Sequence, residues 1–425
     1  MKPSAEGDNI EDENVKGDVI GNTVYSERFV LKLLIKFANL DTLKEELQEK
    51  SLEDDLCTLW DMTAEKDVVL FLQKHDVFNL FNFALPIIDS PRIIEILIGI
   101  IGNMCCQKEA AMELLKMNSF LTLLLEYAKS EDSLIIIQVL RFVNSSLFLS
   151  EEDEMFKWID TFIRIGYSNA LYFVLRNSSN KDLLVTALEN FNTICSYCNT
   201  EKHSTNFFGH FVTSEAVESL VTAFTELTIK QKASCEREEL ERVLIISLQI
   251  TLNLVGFDKS YEVYCENKVD ILKIITEVLS YYENKFVNQK EIDMDLVDVI
   301  DSSITIVKEL ELSGMCGLEK FFKQSYNMWR TLSNIAESDK NGSSSFENDD
   351  KEELQVFSNQ MKISLSNLIF NYIDKCSNMH LFKALDEIGS DFDDMSSLVK
   401  DKELWKSVCD RVLNYKTRLK ETENC

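Results

Sequence analysis

Hydrophobic residues recur at spacings of three and four along most of the chain, and this spacing places side chains on one face of an α-helix. The first such stripe lies between Tyr25 and Leu40 and is formed by Phe29, Val30, Leu33, Leu34 and Phe37. Helix breakers are rare, because the 425 residues include only three prolines and twelve glycines. The pattern therefore predicts an all-helical protein.

One hydrophobic pattern returns along the chain: an apolar helix that carries an asparagine near its C-terminal end. It occurs as Ile101-Gly102-Asn103-Met104, Phe142-Val143-Asn144-Ser145, Phe191-Asn192-Thr193-Ile194, Thr251-Leu252-Asn253-Leu254 and Leu332-Ser333-Asn334-Ile335. The first four asparagines are 41, 48 and 61 residues apart, and the last interval, 81 residues, is close to two units. A period of roughly 40 residues is typical of armadillo and HEAT repeats. We therefore predict an all-α, armadillo/HEAT-like, right-handed superhelical solenoid that acts through its surface.

Composition divides the chain into five segments. Residues 1–22 are polar and acidic, and are predicted to be a disordered tail because they have too little apolar surface to bury. Residues 23–63 are predicted to be N-terminal cap helices, and residues 64–336 the armadillo-like repeats. Residues 337–353 have the Gly, Ser and acidic composition of a linker loop. Residues 354–420 are predicted to be helices that cap the C-terminal end of the solenoid.

The charge balance narrows the range of partners. The chain has 44 Lys and Arg against 72 Asp and Glu, which gives a formal net charge of -28. This charge repels phosphate backbones and anionic membrane surfaces, and it favours basic partners. We therefore expect a protein partner with a basic segment, and neither nucleic acid nor a membrane.

The eleven cysteines are interpreted as reduced packing residues, because most lie within apolar helical patterns and their number is odd. No basic and apolar leader of the secretory kind begins the chain, and the longest apolar runs are interrupted by polar residues. We therefore expect a soluble protein of the cytosol, the nucleus or both.

Short segments in the first quarter of the chain match a known family. They are Ile20-Gly21-Asn22-Thr23-Val24-Tyr25-Ser26, then Leu59-Trp60-Asp61-Met62, then Asp67-Val68 with Phe71-Leu72, and finally Pro91-Arg92 with Glu95, Gly99-Ile100-Ile101-Gly102-Asn103-Met104 and Cys106. On these residues the chain resembles the serum amyloid A-like family of armadillo-type proteins, whose fold is unrelated to serum amyloid A. The match is strong over residues 20–110, looser over about half the chain, and limited to the architecture beyond about residue 200.

The resemblance implies a non-enzymatic repeat protein that is largely nuclear, with the cytoplasm as a second location. It also implies an association with the promotion of cell proliferation, as in vertebrate members of the family. It supplies no binding residue that can be transferred to a position of this chain. Candidate site residues must therefore come from the chemistry of the sequence itself.

Asn103, Asn144, Asn192 and Asn253 are the first candidates for partner binding. A side-chain amide can pair with both the carbonyl and the N–H group of an extended peptide, so asparagines repeated along a solenoid would form a ladder. The structural alternative is that each asparagine bonds to the loop that joins its repeat to the next and satisfies a helix end. Both interpretations are open at this point.

Trp60 and Asp61 are the second pair of candidates, either as an exposed partner contact or as residues that close the cap against the first repeat. Peptide carriers of the importin type place a tryptophan one turn before each groove asparagine. The corresponding positions of this chain hold Gly99, Leu140, Leu188, Gln249 and Arg330. Without an aromatic wall for a lysine side chain, we do not expect capture of a nuclear localisation peptide.

Motifs for catalysis, metals and cofactors are absent from the sequence. The four histidines form no HExxH arrangement, and there is no GxSxG, GxGxxG or phosphate-binding loop. The pair Cys195 and Cys198 has no second pair at zinc-finger spacing, and His203 and His210 fit no ligand pattern. We therefore predict no catalytic residue, no metal and no cofactor.

These observations lead to one hypothesis and two alternatives. The protein is predicted to be a non-enzymatic scaffold or adaptor of the serum amyloid A-like kind, with a basic partner segment on its acidic solenoid surface. The first alternative is a karyopherin-like transport carrier, which has the same fold. The second is a regulatory or inhibitory subunit that covers the active site of an enzyme.

Overall fold

The computed structural model describes residues 18–47, 49–198, 204–257, 259–289, 291, 295–312, 318–340 and 348–423. These residues are mainly helical, and no strand occurs among them. The chain divides into two compact units, which meet in sequence between Trp158 and Ile159. Each unit is described by itself.

The first unit contains nine helices in the described ranges and the start of a tenth. They are α1 (Glu27–Ala38), α2 (Leu40–Glu46), α3 (Lys50–Met62), α4 (Lys66–Lys74), α5 (Val77–Ala84), α6 (Pro91–Met104), α7 (Lys108–Lys116), α8 (Asn118–Glu126), α9 (Ser133–Leu149) and α10 (Glu152–Ile165). Every third helix packs on the next of its kind, α3 on α6 and α6 on α9. This arrangement is a stack of three-helix repeats.

Helix α6 shows how the sequence produces this packing. Pro91 occupies its first position, where the missing N–H group would have no helical partner. All residues from Ile93 to Ile101 are buried, because α3 and α9 cover the helix from two sides. A helix that is apolar on nearly every side needs such cover. The core of the first unit is therefore built around α6.

The second unit continues with thirteen helices in the described ranges. They are α11 (Tyr167–Asn177), α12 (Lys181–Cys198), α13 (Ser204–Phe211), α14 (Ser214–Thr225), α15 (Arg237–Val255), α16 (Ser260–Val263), α17 (Lys268–Glu283), α18 (Asp295–Glu309), α19 (Leu318–Lys340), α20 (Asn348–Lys375), α21 (Asn378–Ile388), α22 (Asp391–Leu398) and α23 (Lys402–Glu423). Short π-helical turns extend α14 over Glu226–Lys230 and α17 over Asn284–Asn288.

Two parallel series of helix contacts organise the second unit. The third helices of the repeats pack in the order α12, α15, α18 and α20, and the second helices pack in the order α11, α14, α17 and α19. Buried rings fill the space between the series, as where Tyr172 meets Phe191 at a centroid distance of 5.6 Å. The predicted all-α, armadillo-like repeat architecture is confirmed.

The ends of the predicted segments differ from the structure in two places. Residues 1–17 of the predicted tail lie outside the described residues, but residues 18–22 form a folded turn. Ile20 is buried, and the Asp18 carboxylate accepts hydrogen bonds from the Ser26 hydroxyl at 2.6 Å and the Arg28 N–H at 2.9 Å. A single buried isoleucine and a capping aspartate therefore start the folded chain before residue 23.

The second difference concerns the predicted linker 337–353, of which residues 341–347 lie outside the described residues. Helix α19 continues to Lys340, and α20 begins at Asn348. The sequence from Asn348 to Glu353 is acidic, and negative charges in the first turns of a helix are favoured by its dipole. The acidic composition therefore belongs partly to the start of a helix.

Candidate interaction surface

The four candidate asparagines lie on one type of surface, the third-helix face, which we define as the solvent side of α3, α6 and α9 in the first unit and of α12, α15, α18 and α20 in the second. Asn103, Asn144, Asn192 and Asn253 lie on α6, α9, α12 and α15, and each side chain is half-buried. Asn334 differs from them, because it lies on α19, which packs among the second helices. The 81-residue interval in the sequence therefore separates an asparagine on a third helix from one on a second helix.

Asn103 connects the third helices α3 and α6, at a contact that we call the α3–α6 seam. Its side-chain Nδ2 donates to the Trp60 carbonyl at 3.3 Å and to the Thr63 hydroxyl at 3.0 Å. Both acceptors lie at the C-terminal end of α3, where the Trp60 carbonyl also accepts from the N–H group and the hydroxyl of Thr63. The amide therefore ties its own helix to the end of the preceding third helix, and not to the loop that follows its own repeat.

Trp60 packs into a notch at Gly99 in the same seam. A Cβ atom at position 99 would lie 2.2 Å from Cζ2 of the indole, so only glycine allows this approach. The indole is half-buried, and Asp61, the next residue, is exposed. The ring therefore packs the cap helix α3 against α6 and still keeps part of its surface in solvent.

Arg92 closes the other end of the α3–α6 seam. Its guanidinium donates to the buried Glu95 carboxylate at 2.7 Å and lies 3.7 Å from the Glu53 carboxylate. The hydrogen bond with Glu95 is the main cause of the raised pKa of Arg92. The Arg92 charge at this seam is therefore matched by carboxylates of the protein.

The remaining residues of the family resemblance pack nearby in the first unit. Gly21 has a φ of +53°, and the N–H group of Asn22 donates to the Asp67 carboxylate at 2.8 Å. A Cβ at Gly21 would lie 2.3 Å from the same carboxylate, so the turn needs glycine for both reasons. The segments that match the family therefore form the start of the repeat stack.

Asn144 lies farther along the same face of the first unit, on α9. Its neighbour Ser145 lies next to α6, where the exposed Cys106 thiol donates to the Ser145 hydroxyl at 3.6 Å. The asparagine position thus stands beside a contact between successive third helices, as Asn103 does.

In the second unit, α12 and α15 meet in a polar contact that we call the α12–α15 seam. Three pairs cross it: Lys181 with Glu239 at 2.8 Å, Arg242 with Glu189 at 2.6 Å, and the Asn192 amide with Gln249 at 3.2 Å. An open groove of about 510 Å³ lies at one end, lined by Lys181, Val185, Glu236, Glu238, Glu239 and Arg242.

The two asparagines of this seam keep unused hydrogen-bonding capacity. Asn192 Oδ1 has no hydrogen-bond partner among the described residues, and neither has the side chain of Asn253, one turn beyond Gln249. Asn192 therefore has one buried acceptor without a described partner, and the whole Asn253 amide has none.

A charged network lies on the other side of α15. The Glu241 carboxylate accepts hydrogen bonds from Tyr281 at 2.7 Å, Lys285 at 2.9 Å and Arg237 at 3.1 Å. Burial acts to raise the pKa of Glu241, but these hydrogen bonds outweigh it and hold the pKa below its ordinary value. The network links α15 to α17 and its π-helical turn, so it stabilises the repeat stack.

The described residues contain no group of three His, Cys, Asp or Glu side chains placed to hold a metal ion. The His75 ring lies against the Phe71 carbonyl, and His380 pairs with Glu319, while His203 lies outside the described residues. Within those same ranges, no helix has the length and apolar character that crossing a bilayer requires.

The sequence alone missed two partners of the candidate residues. Gly99 was considered only as a position without tryptophan, yet it receives the ring of Trp60 from the neighbouring helix. Gln249 occupies the corresponding position in α15 and bonds Asn192. Gly99 and Gln249 each lie four residues before a candidate asparagine, Asn103 and Asn253, and this spacing is visible in the sequence. The residue that each of them contacts depends on the neighbouring repeat.

The stacked third helices define the class of protein as armadillo-like helical repeat. Within this class, the chain is 32% identical to human Protein SAAL1 over 184 residues, which make up 40% of this chain and 38% of the relative. It is 30% identical to Protein saal1 of Danio rerio over 182 residues, again 38% of the relative. The match thus spans less than two fifths of the length of these relatives. Over that part, the resemblance to the serum amyloid A-like family is confirmed.

Other comparisons add less. No family model matches the chain. A designed armadillo repeat protein in complex with the peptide (KR)4 has a TM-score of 0.45 and 12% identity, and covers 66% of this chain and 98% of its own. An engineered protein has the same TM-score and identity, and covers 91% of this chain and 93% of its own.

Proposed function

We propose that this protein is a non-enzymatic scaffold or adaptor that holds a basic segment of a partner protein on its third-helix face. The observation that carries the proposal is the α12–α15 seam, where the buried Oδ1 of Asn192 and the side chain of Asn253 have no hydrogen-bond partner among the described residues, and where the groove beside Glu236 and Glu238 lies on the same two helices. Amides can pair with a peptide backbone, and the carboxylates attract basic side chains.

Long-range electrostatics support a basic partner. A formal charge of -28 creates a negative field that accelerates the encounter with a cationic segment more than it strengthens the bound complex. Added salt is therefore expected to lower the association rate first and to change the dissociation rate much less. A kinetic titration with salt separates the two effects.

The family resemblance supports a cellular role for such a scaffold. We propose that it acts in the nucleus, with a share in the cytoplasm, and that it supports cell proliferation. Imaging of the tagged chain and growth measurements after its depletion test both statements. Exclusion from the nucleus, or unchanged growth, would contradict the corresponding statement.

Affinity mass spectrometry with the full chain tests the binding role. The double variant Asn192→Ala with Asn253→Ala should lose a set of partners that the wild type captures, while its melting temperature stays close to the wild-type value. Asn177→Ala is the matched control, because this exposed asparagine lies on the second helix α11. Equal capture by the double variant and the control would show that the third-helix face does not bind these partners.

A further inference from the structure

A further cavity of the second unit lies where α14, α15 and α17 meet. Its volume is about 280 Å³, just below the range of about 300–1,000 Å³ that is typical of pockets for drug-sized ligands. The buried side chains of Leu240 and Leu244 on α15 form the apolar part of its lining. A cavity of this size and character suits a small ligand or one terminal residue of a peptide.

Two π-helical turns border this cavity. They are Glu226–Lys230 after α14 and Asn284–Asn288 after α17, and Thr228 of the first turn and Asn284 of the second line the cavity. In each turn the N–H group of the following residue donates back to the carbonyl of the first residue, at 2.9 Å and 3.2 Å respectively. Such turns are rare and frequently lie at functional sites. Their meeting at one cavity is the first indication of a binding site.

The lining also has hydrogen-bond donors that the described residues leave unused. Asn284 Nδ2 donates to none of them, and the Ser280 hydroxyl accepts from Gln324 but donates to none. These two groups lie four residues apart along one helix and therefore share a face. Lys232 lines the cavity from the short turn Lys232–Ser234, and its ammonium group pairs with no described carboxylate. One cavity thus has three unused donors, and one of them is charged.

Local charge favours an anion in this cavity, although the chain as a whole is acidic. Glu277 contributes a carboxylate to the lining, and Lys320 Nζ lies 3.6 Å from it. Lys273, one turn earlier on α17, donates to the Thr225 hydroxyl at 2.8 Å and pairs with no described carboxylate. With Lys232, three lysines therefore lie around one carboxylate. An anionic group entering the cavity meets a local excess of positive charge.

Two further carboxylates lie close to the lining, and both are matched by cations. Glu226 of the first π-helical turn pairs with Lys230 at 2.7 Å. Glu241 accepts from the lining residue Tyr281 and pairs with the two cations of the network described above. Neither carboxylate leaves an unmatched charge that would oppose an anionic ligand.

We propose that this cavity binds a carboxylate that is carried on a small apolar group. The carboxylate accepts hydrogen bonds from Lys232, Ser280 and Asn284, and the apolar group packs on Leu240 and Leu244. Because hydrogen bonds from a charged donor are the stronger ones, Lys232 sets the preference for an anion. The ligand is a free small acid or the C-terminal residue of a protein, which share this chemistry. The site goes beyond the proposed function, since it uses none of the candidate asparagines.

Saturation-transfer NMR with the full chain tests the site, with N-acetyl-leucine as the probe and N-acetyl-leucinamide as its uncharged match. We expect the acid to bind and the amide to bind about tenfold more weakly, because the amide loses the charge-assisted hydrogen bond. N-acetylglycine should also bind more weakly, since it has no apolar side chain to bury. Equal binding of the acid and the amide, or no binding of the acid, would overturn the proposal.

A pair of variants shows whether the probe occupies this cavity. Lys232→Gln should weaken the binding of N-acetyl-leucine about threefold to tenfold. Lys259→Gln is the matched control, because Lys259 is an exposed lysine of the second unit that does not line the cavity and pairs with no described carboxylate. Since both lysines are exposed, both variants should keep the wild-type melting temperature. Equal affinities of the two variants would also overturn the proposal, because the probe would then bind elsewhere.

A short peptide that ends in leucine distinguishes the two sources of the carboxylate. If the peptide with a free C-terminus binds at least as tightly as N-acetyl-leucine and loses this affinity in Lys232→Gln, the ligand is a protein C-terminus. If N-acetyl-leucine binds and the peptide does not, the ligand is a free small acid. Both outcomes support the site, and partner capture by the double variant of Asn192 and Asn253 tests the scaffold separately.

Discussion

The α3–α6 seam and the α12–α15 seam occupy the same place in their repeats but are held together by different forces. In the first, the Trp60 ring fills the notch at Gly99, and Asn103 bonds the end of the preceding helix. In the second, two ion pairs and an amide pair cross a more open contact. Close packing contributes more to stability than partly exposed ion pairs do.

Residues at similar positions in two repeats can therefore lie on the same kind of helix and still make different contacts. Asn103 bonds the end of the preceding third helix in the first unit, whereas the side chain of Asn253 in the second unit bonds to no described residue. We therefore expect substitutions of Gly99 and Asn103 to change stability, and substitutions of Asn192 and Asn253 to change binding.

The largest expected effect is that of Gly99→Ala. The new Cβ would overlap the Trp60 indole and force the ring or the helix to move, and overpacking of this kind costs about 1–3 kcal/mol. Urea denaturation should show the loss. Gly209→Ala is the control, because a Cβ there meets no atom within 4 Å. Equal stability of the two variants would refute the close packing of the first seam.

A smaller effect is expected from Asn103→Ala. The variant removes two hydrogen bonds from the end of α3, and we expect the free energy of unfolding to fall by about 1–2 kcal/mol. Asn253→Ala should stay within about 0.5 kcal/mol of the wild type, since it breaks no hydrogen bond to a described residue. If Asn253→Ala cost as much as Asn103→Ala, the contrast between the seams would not hold.

The smallest expected effect is on the stability of the fold at acid pH. The pKa of Glu241 is lower in the folded state than its ordinary value of 4.5. Its carboxylate therefore stabilises the fold fully above that value, and the contribution is lost as the pH falls through the folded pKa. Urea midpoints measured from neutral pH to about pH 3 should fall less steeply in Glu241→Gln than in the wild type.

The control for the acid experiment is Glu238→Gln, because Glu238 is exposed on the same helix and bonds to no described residue of the α15–α17 contact. Its urea midpoints should follow the wild-type slope. An identical slope in Glu241→Gln would mean that the network has no role in acid stability.

The repeat architecture could be predicted from the sequence because it depends on local periodicity. Apolar spacing and the 40-residue period identify helices and their stacking, and Asn103, Asn144, Asn192 and Asn253 do lie on successive third helices. Asn334 was assigned to the same pattern because its local sequence is similar. Its helix packs among the second helices, and that is a property of tertiary contacts which a local pattern does not contain.

The details of the candidate surface depended on contacts between repeats. The notch at Gly99 could not be predicted from its own helix, since its occupant, Trp60, lies about forty residues earlier. The turn at residues 18–22 was missed for a similar reason. A short polar segment gains order there from one buried side chain, Ile20, and from a carboxylate on α4, Asp67.

The burial of α6 on both sides has a consequence for how the first unit opens. Backbone amides between Ile93 and Ile101 have no route to solvent while α3 and α9 remain in place. Their exchange with deuterium would therefore require the cooperative loss of the whole three-helix stack, whereas amides near the N-terminal turn could exchange through local fluctuations. We therefore expect α3, α6 and α9 to open together, as one cooperative unit.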